Sequence, residues 1–159
     1  MDNISKLIEY YNINDENDEK LDVNKILKAL DNDRNEDIFH LSSSKMKQIK
    51  NKILQQLGLP GEELKKLHKK LEDYRYVNDL INLKEGTYIR WIPLKNVTEV
   101  KLTNGGILLE IKLLSDGIQL LCKNRLNRKF QIKMDEVLIF QKLTQQELIL
   151  LKIIDELNK

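Results

Sequence analysis

Between Lys84 and Lys142 the chain breaks repeatedly at turn-forming residues, and each piece between the breaks has strand character. Thr87–Ile92 (TYIRWI) is aromatic and β-branched, with Gly86 before it and Pro93 after it. Val97–Leu102 alternates, with Thr98, Val100 and Leu102 on one side and Val97, Glu99 and Lys101 on the other. Asn104-Gly105-Gly106 accepts positive φ and predicts a tight hairpin turn; Asp116-Gly117 predicts a second. Ile107–Leu114, Ile118–Lys123, Phe130–Met134 and Val137–Phe140 complete six expected strands. Short strands joined by turns, with no helix between them, predict an antiparallel meander. About 55–60 residues is small for a sandwich. Closure removes exposed edges, so the expected form is a small, partly open β-barrel. An SH3-like barrel is preferred, with OB-like and Sm-like closures as alternatives.

The rest of the chain reads as helix. Ile4, Leu7, Ile8 and Tyr11 share a helical face, and the polar stretch Asn12–Lys20 reads as a loop. Asp22 is an N-cap for a helix burying Val23, Ile26, Leu27 and Leu30, and Asp31–Asp37 reads as a polar link. Ser42–Ser44 offers caps for a helix running to Leu57, with Met46, Ile49, Ile53, Leu54 and Leu57 as its stripe. Lys45, Lys47, Lys50 and Lys52 are expected to point mostly away from that stripe. Gly58 and Pro60 end this helix. A further helix is expected from Glu62 to about Tyr74, with Lys65, Lys66, Lys69 and Lys70 outward. Thr144-Gln145-Gln146-Glu147 is a capping-box pattern opening a C-terminal helix with Leu148, Leu151, Ile154 and Leu157 at helical spacing. That helix is expected to cover an open end or edge of the barrel, or otherwise to join subunits. The expected class is α+β: N-terminal helices, a small antiparallel β-barrel and a C-terminal helix.

Charge divides the chain unevenly. Residues 1–42 carry a net charge of −6, residues 43–82 of +4, and residues 83–145 of +5, within a total of +2. Three regions follow: an acidic helical head (1–42), a basic helical hairpin (43–82) and the barrel with its closing helix (83–159). Lys, Asn and Ile are abundant, as an AT-rich coding sequence dictates, so not all of the lysine is functional. No apolar run approaches the roughly 20 residues that span a bilayer, and the first residues lack the pattern of a secretory signal, so no membrane partner is expected. The single cysteine, Cys122, forms no intramolecular disulfide and suits a reducing compartment.

Catalytic patterns are missing. There is no GxxxxGK[ST], no GxGxxG and no CxxC. The acidic stretches fail the EF-hand rule, which needs Gly at the sixth position and Glu at the twelfth. One cysteine with two histidines, His40 and His68, does not make a structural zinc site. Glu110, Asp116, Asp135 and Glu136 are not paired by any pattern into an acid and a base. No enzyme activity, metal, cofactor or small-molecule substrate is expected. What remains is a binding surface. Lys123, Arg125, Arg128 and Lys129 cluster in KNRLNRK, and Arg90 and Trp91 are adjacent on the first strand, so they face opposite sides. Basic side chains neutralise phosphates and exposed aromatics stack on bases. These six residues are the candidates for contact with nucleic acid or with a viral or host protein.

The segments LGLPGEELKKLHKKLEDYRYV (57–77), LKEGTYIRWI (83–92), LTNGG (102–106) and CKNRLNRKFQIKMDEVLIFQKLT (122–144) carry a resemblance. Over residues 56–157 the chain resembles a family of uncharacterised proteins of large nucleocytoplasmic (giant) DNA viruses. The resemblance implies a viral protein acting in the cytoplasm of an infected cell, in the viral factory, or packed in the virion. It transfers no functional residue. Two functions are expected from different classes: a nucleic-acid-associated accessory factor in transcription or genome handling, and a structural or assembly protein of the virion, oligomeric through the C-terminal helix.

Overall fold

The computed structural model describes residues 23–95 and 97–159. The helix expected over Ile4–Tyr11, the loop Asn12–Lys20 and the Asp22 cap lie outside the described residues. The chain divides into two compact units, residues 1–46 with 144–159, and residues 47–143. The division cuts across the charge blocks, because the C-terminal helix belongs with the N-terminal residues.

In the first unit, α1 (Val23–Asp31) and α4 (Gln145–Leu157) bury Ile26 against Ile153, with Leu30 and Ile149 packed alongside. The polar link expected after α1 is a 3-10 helix, Asp33–His40, capped by the Asn32 side chain accepting from the Arg34 N–H. Asn32 and Asn35 both donate their side-chain amides to Gln146 Oε1, at 2.8 and 3.0 Å. The capping box forms as expected: Thr144 Oγ1 accepts from the Glu147 N–H, and Glu147 Oε1 accepts from the Thr144 N–H. The apolar face of α4 is therefore spent, in part, on α1.

Helix α2 (Ser43–Gln55) begins in the first unit and runs into the second, where α3 (Gly61–Lys70) follows it. Gly58, at φ +67°, ends α2 as expected. Helix α3 stops before its expected end at Tyr74. Tyr74–Val77 (YRYV) is instead strand β1, paired antiparallel with Ile139–Lys142. Lys50 explains the stop. Its ammonium is buried and donates to the carbonyls of Leu71 (2.7 Å) and Tyr74 (3.0 Å), capping the end of the helix and fixing the turn into β1. Lys50 therefore does not point outward with its neighbours. Burial, and next the charge of Lys47, lower its pKa.

The remaining strands are β2 (Tyr88–Pro93), β3 (Gly106–Leu114), β4 (Gly117–Lys123), β5 (Lys129–Lys133) and β6 (Val137–Lys142). They form one antiparallel sheet in the order β1-β6-β2-β3-β4-β5. The sheet does not close into a barrel, because β1 and β5 stand at opposite edges. The expected strand Val97–Leu102 is a loop. Its alternation holds only toward the end: Leu102 is buried and Val100 half-buried, while Val97, Thr98, Glu99 and Lys101 are exposed. It forms no ladder, since beside this part of β2 only Thr103 bonds to Trp91, through its N–H and its hydroxyl.

Alternation gives the sheet two faces. On one, Tyr74, Ile92, Leu138 and Phe140 pack against Leu54 of α2, Leu67 of α3 and Leu71. On the other, Ile89, Trp91 and Ile139 pack against Leu108, Leu120 and Cys122 of the same sheet, with no residue of α2 or α3 among them. A sheet that buries one face against itself is strongly curved. The bend is placed by a bulge between Leu108 and Glu110, and by the two-residue pairing of β2 with β3, Tyr88 to Ile107 and Ile89 to Gly106.

Gln141 is fully buried on this self-packed face. Its Oε1 accepts from the Lys84 N–H (2.8 Å) and the Thr87 hydroxyl (3.2 Å), and its Nε2 donates to the Asn82 carbonyl (3.1 Å). One side chain thereby holds the whole entry loop of β2 to β6. Gln141→Leu is similar in size but takes the acceptor of the buried Lys84 N–H and one partner each from the Asn82 carbonyl and the Thr87 hydroxyl, which keep Arg75 and the Lys84 carbonyl. Urea unfolding is expected to show a loss of about 2 kcal/mol for Gln141→Leu and less than about 0.5 kcal/mol for Lys142→Gln, next along the strand but exposed.

Candidate nucleic-acid interface

The helices of the second unit cover only β1, β6 and β2. Residues directly opposite in paired strands share a face, so the register continues this face across β3, β4 and β5. One row is Tyr88, Ile107, Lys123 and Lys129; the next is Glu110, Leu121 and Gln131; a third is Lys112, Gln119 and Lys133. No core cluster among the described residues lies on this half. Four lysines and one glutamate therefore stand on a bare, curved sheet. Lys133 meets Asp116 at 3.6 Å, an exposed pair, and Gln131 donates to Gln119 across the strands.

A cleft of about 420 Å³ opens where the covered half meets the bare half. Arg90 and Arg125 line it together with Tyr74 and Tyr88. Asn104 and Gly105 form one wall, and Asn124 and Leu126, from the turn between β4 and β5, another. Two glycines bring these pieces together. Gly105 lies at φ +80°, and a Cβ there would overlap the Ile89 carbonyl oxygen; a Cβ on Gly106 would stand 2.6 Å from the Lys123 carbonyl oxygen. The chain therefore reaches β2 and the end of β4 only as Gly-Gly. The expected hairpin turn here is instead the end of the long loop after β2, and its glycines serve close approach.

The β4–β5 turn is organised by Asn124. Its Oδ1 accepts from the N–H groups of Leu126 and Arg128, both at 2.9 Å, and its own N–H donates to the Arg128 carbonyl. Asn127 takes the left-handed conformation at φ 61°, which asparagine tolerates better than most residues. With Asn124 Oδ1 occupied, the side-chain NH2 is the part left to the cleft. Arg90 is oriented in the same way. Its Nε donates to the Thr103 carbonyl at 2.8 Å, leaving the terminal guanidinium nitrogens. The Tyr88 hydroxyl donates to the Asn104 carbonyl at 2.7 Å. One carbonyl of the cleft wall, that of Asn104, is thus occupied, while two guanidinium groups and an amide NH2 keep donors to spare. No carboxylate lines the cleft, and neither arginine has an ion-pair partner among the described residues. Burial pushes the Tyr74 phenol up in pKa; Arg90 and Arg125 oppose the shift, while Tyr88 and Asp73 add to it. Such a site takes an anion.

Of the six candidate residues, Arg90 and Arg125 come together in the cleft, and Lys123 and Lys129 are cross-strand neighbours on the bare face. Arg128 is exposed on the turn and does not line the cleft. Trp91 is 7 % exposed and packs among the self-buried residues of the sheet, so its indole is core and offers no stacking surface. Asn104, Asn124, Lys112 and Lys133 complete the surface. Only the pairing register brings the last two into it. Cys122 is fully buried and its thiol is pushed up to about 12 by burial, so it stays protonated and inert at neutral pH. No group of side chains among the described residues is arranged to hold a metal ion, and no described helix is long and apolar enough to cross a membrane.

Gly105→Ala is expected to lose about 3 kcal/mol or more in urea unfolding, from steric overlap added to unfavourable φ. Gly86 separates the two effects. It has φ +88° but open space around its Cβ position, so Gly86→Ala is expected to lose only about 1 kcal/mol.

The chain matches no family model, no curated protein and no solved structure, so its function has to be read from the cleft and the bare face themselves.

Proposed function

We propose that the chain is a non-enzymatic nucleic-acid-binding module, an accessory factor in transcription or genome handling of a large DNA virus. The observation that carries this reading is the donor-rich cleft of Arg90 and Arg125 opening onto a sheet face with four lysines against Glu110 and the Asp116 that meets Lys133. Lysine rows on the half of the sheet outside the core that α2 and α3 form neutralise a polyanion backbone without reading its sequence. The bare rows carry no aromatic side chain beyond Tyr88 at their border, so contact runs through phosphates rather than through stacked bases. The viral setting rests on the resemblance over residues 56–157.

An assembly role in the virion is the second reading. Its support is the pair of open sheet edges at β1 and β5, with Ile81 at 85 % and Leu126 at 76 % exposure. Exposed edges invite strand pairing between copies. Lys129 and Lys133 on β5 act against it, which places this reading second.

Binding to a short DNA duplex across a salt series tests the choice. About five phosphate contacts give a slope of roughly −4 to −5 in log K against log salt, which amounts to roughly 500-fold between 50 and 200 mM. Changing Lys112, Lys123, Lys129 and Lys133 together to Glu is expected to abolish binding while circular dichroism remains unchanged. Undiminished binding by that variant, or no binding by the wild type at low salt, overturns the proposal.

A further inference from the structure

Resting on that reading, we infer that the Arg90–Arg125 cleft is an end-binding pocket that takes a terminal phosphate monoester of the nucleic acid, while the lysine face takes the internal diester backbone.

The two halves of the surface differ in build. The lysine face is open, and its cations are spread over three strands. The cleft is concave and holds two guanidinium groups, one oriented by its bond to the Thr103 carbonyl. An internal phosphodiester carries one negative charge. A terminal monoester carries −1.5 to −2 near pH 7 and three acceptor oxygens. Two arginines and the Asn124 NH2 match the monoester in both charge and donors, and arginine's planar fork binds phosphate oxygens in pairs.

Both walls of the cleft are firmly held. The wall formed by Asn104 and Gly105 is pressed against β2, since even a Cβ on Gly105 finds no room beside the Ile89 carbonyl. Opposite it stands the Asn124–Leu126 turn, held by two bonds to Asn124 Oδ1. The volume of about 420 Å³ lies within the size range of sites that enclose a small ligand.

The test compares one single-stranded oligonucleotide in 5′-phosphate, 3′-phosphate and hydroxyl-ended forms, with a nucleoside 5′-monophosphate and inorganic phosphate as competitors. One phosphorylated form is expected to bind at least about tenfold tighter than the hydroxyl form, and the mononucleotide to compete for that increment alone. Arg125→Gln is the principal variant, because Arg125 is exposed and makes no backbone bond that folding uses. It is expected to erase the increment while lowering the affinity of the hydroxyl form by no more than the loss of a single phosphate contact, its salt slope falling by at most about 1. Arg90→Gln, which also loses the Thr103 contact, is checked by unfolding before its binding is read. Equal affinity for all three forms overturns the end-binding inference and leaves the lysine face standing. Binding of the mononucleotide or phosphate in the Arg125-dependent manner, with no oligonucleotide bound, supports the monoester pocket and overturns the nucleic-acid reading. Binding of none of the probes overturns both.

Discussion

The close approach of Gly105 and Gly106 to strand β2 and the end of β4 is the constraint on which the surface depends. The loop after β2 has no ladder of its own. It is held by Thr103 bonding to Trp91, and then by two residues with no side chain to keep them at a distance. Because they fit, Asn104 comes beside Arg90, β3 starts in register with Tyr88, and the β4–β5 turn faces the same opening. Gly105 is tied to this role both by its left-handed φ and by the Ile89 carbonyl. Any side chain would push the loop off β2 and separate the two arginines.

A second constraint shapes the sheet. Six strands with one face buried against itself must curve, and the bulge in β3 and the short β2–β3 pairing supply the curve. Buried polar groups hold it in place. Gln141 ties the loop before β2 to β6, and Lys50 closes the end of α3 so that YRYV can enter the sheet as an edge strand. Both are polar side chains in apolar surroundings, and both are tolerated because each finds carbonyl or N–H partners. The consequence for function is geometric. Two helices are enough to cover half of the outer face, and the lysines occupy the other half.

Much of this was readable from local pattern. Alternation located β2, β3, β4, β5 and β6 to within a residue or two, and the capping box at Thr144 marked the start of the last helix. The errors share a cause. Whether Val97–Leu102 is a strand depends on a neighbour to pair with, and whether YRYV continues a helix depends on β6 being available beside it. Neither is visible in a single segment. The same holds for the site. Arg90 and the KNRLNRK turn were picked out by charge, yet their meeting in one cleft is set by tertiary contact. Trp91 and Lys50 show the converse: composition suggested an exposed aromatic and a solvated lysine, and packing buried both. Closure of the barrel failed as an expectation because a sixth strand joined the sheet beyond β6 and left β5 at an edge.

The most direct test of the account is to map amide chemical shifts of the full chain, by two-dimensional NMR, during titration with a 5′-phosphorylated oligonucleotide. The account predicts that the Asn124 side-chain amide, Gly105, Lys123, Arg125 and Lys129 move together and saturate at one affinity. Perturbations confined to the lysine-rich outside of α3, at Lys65, Lys66, Lys69 and Lys70, with the cleft resonances unmoved, would contradict it.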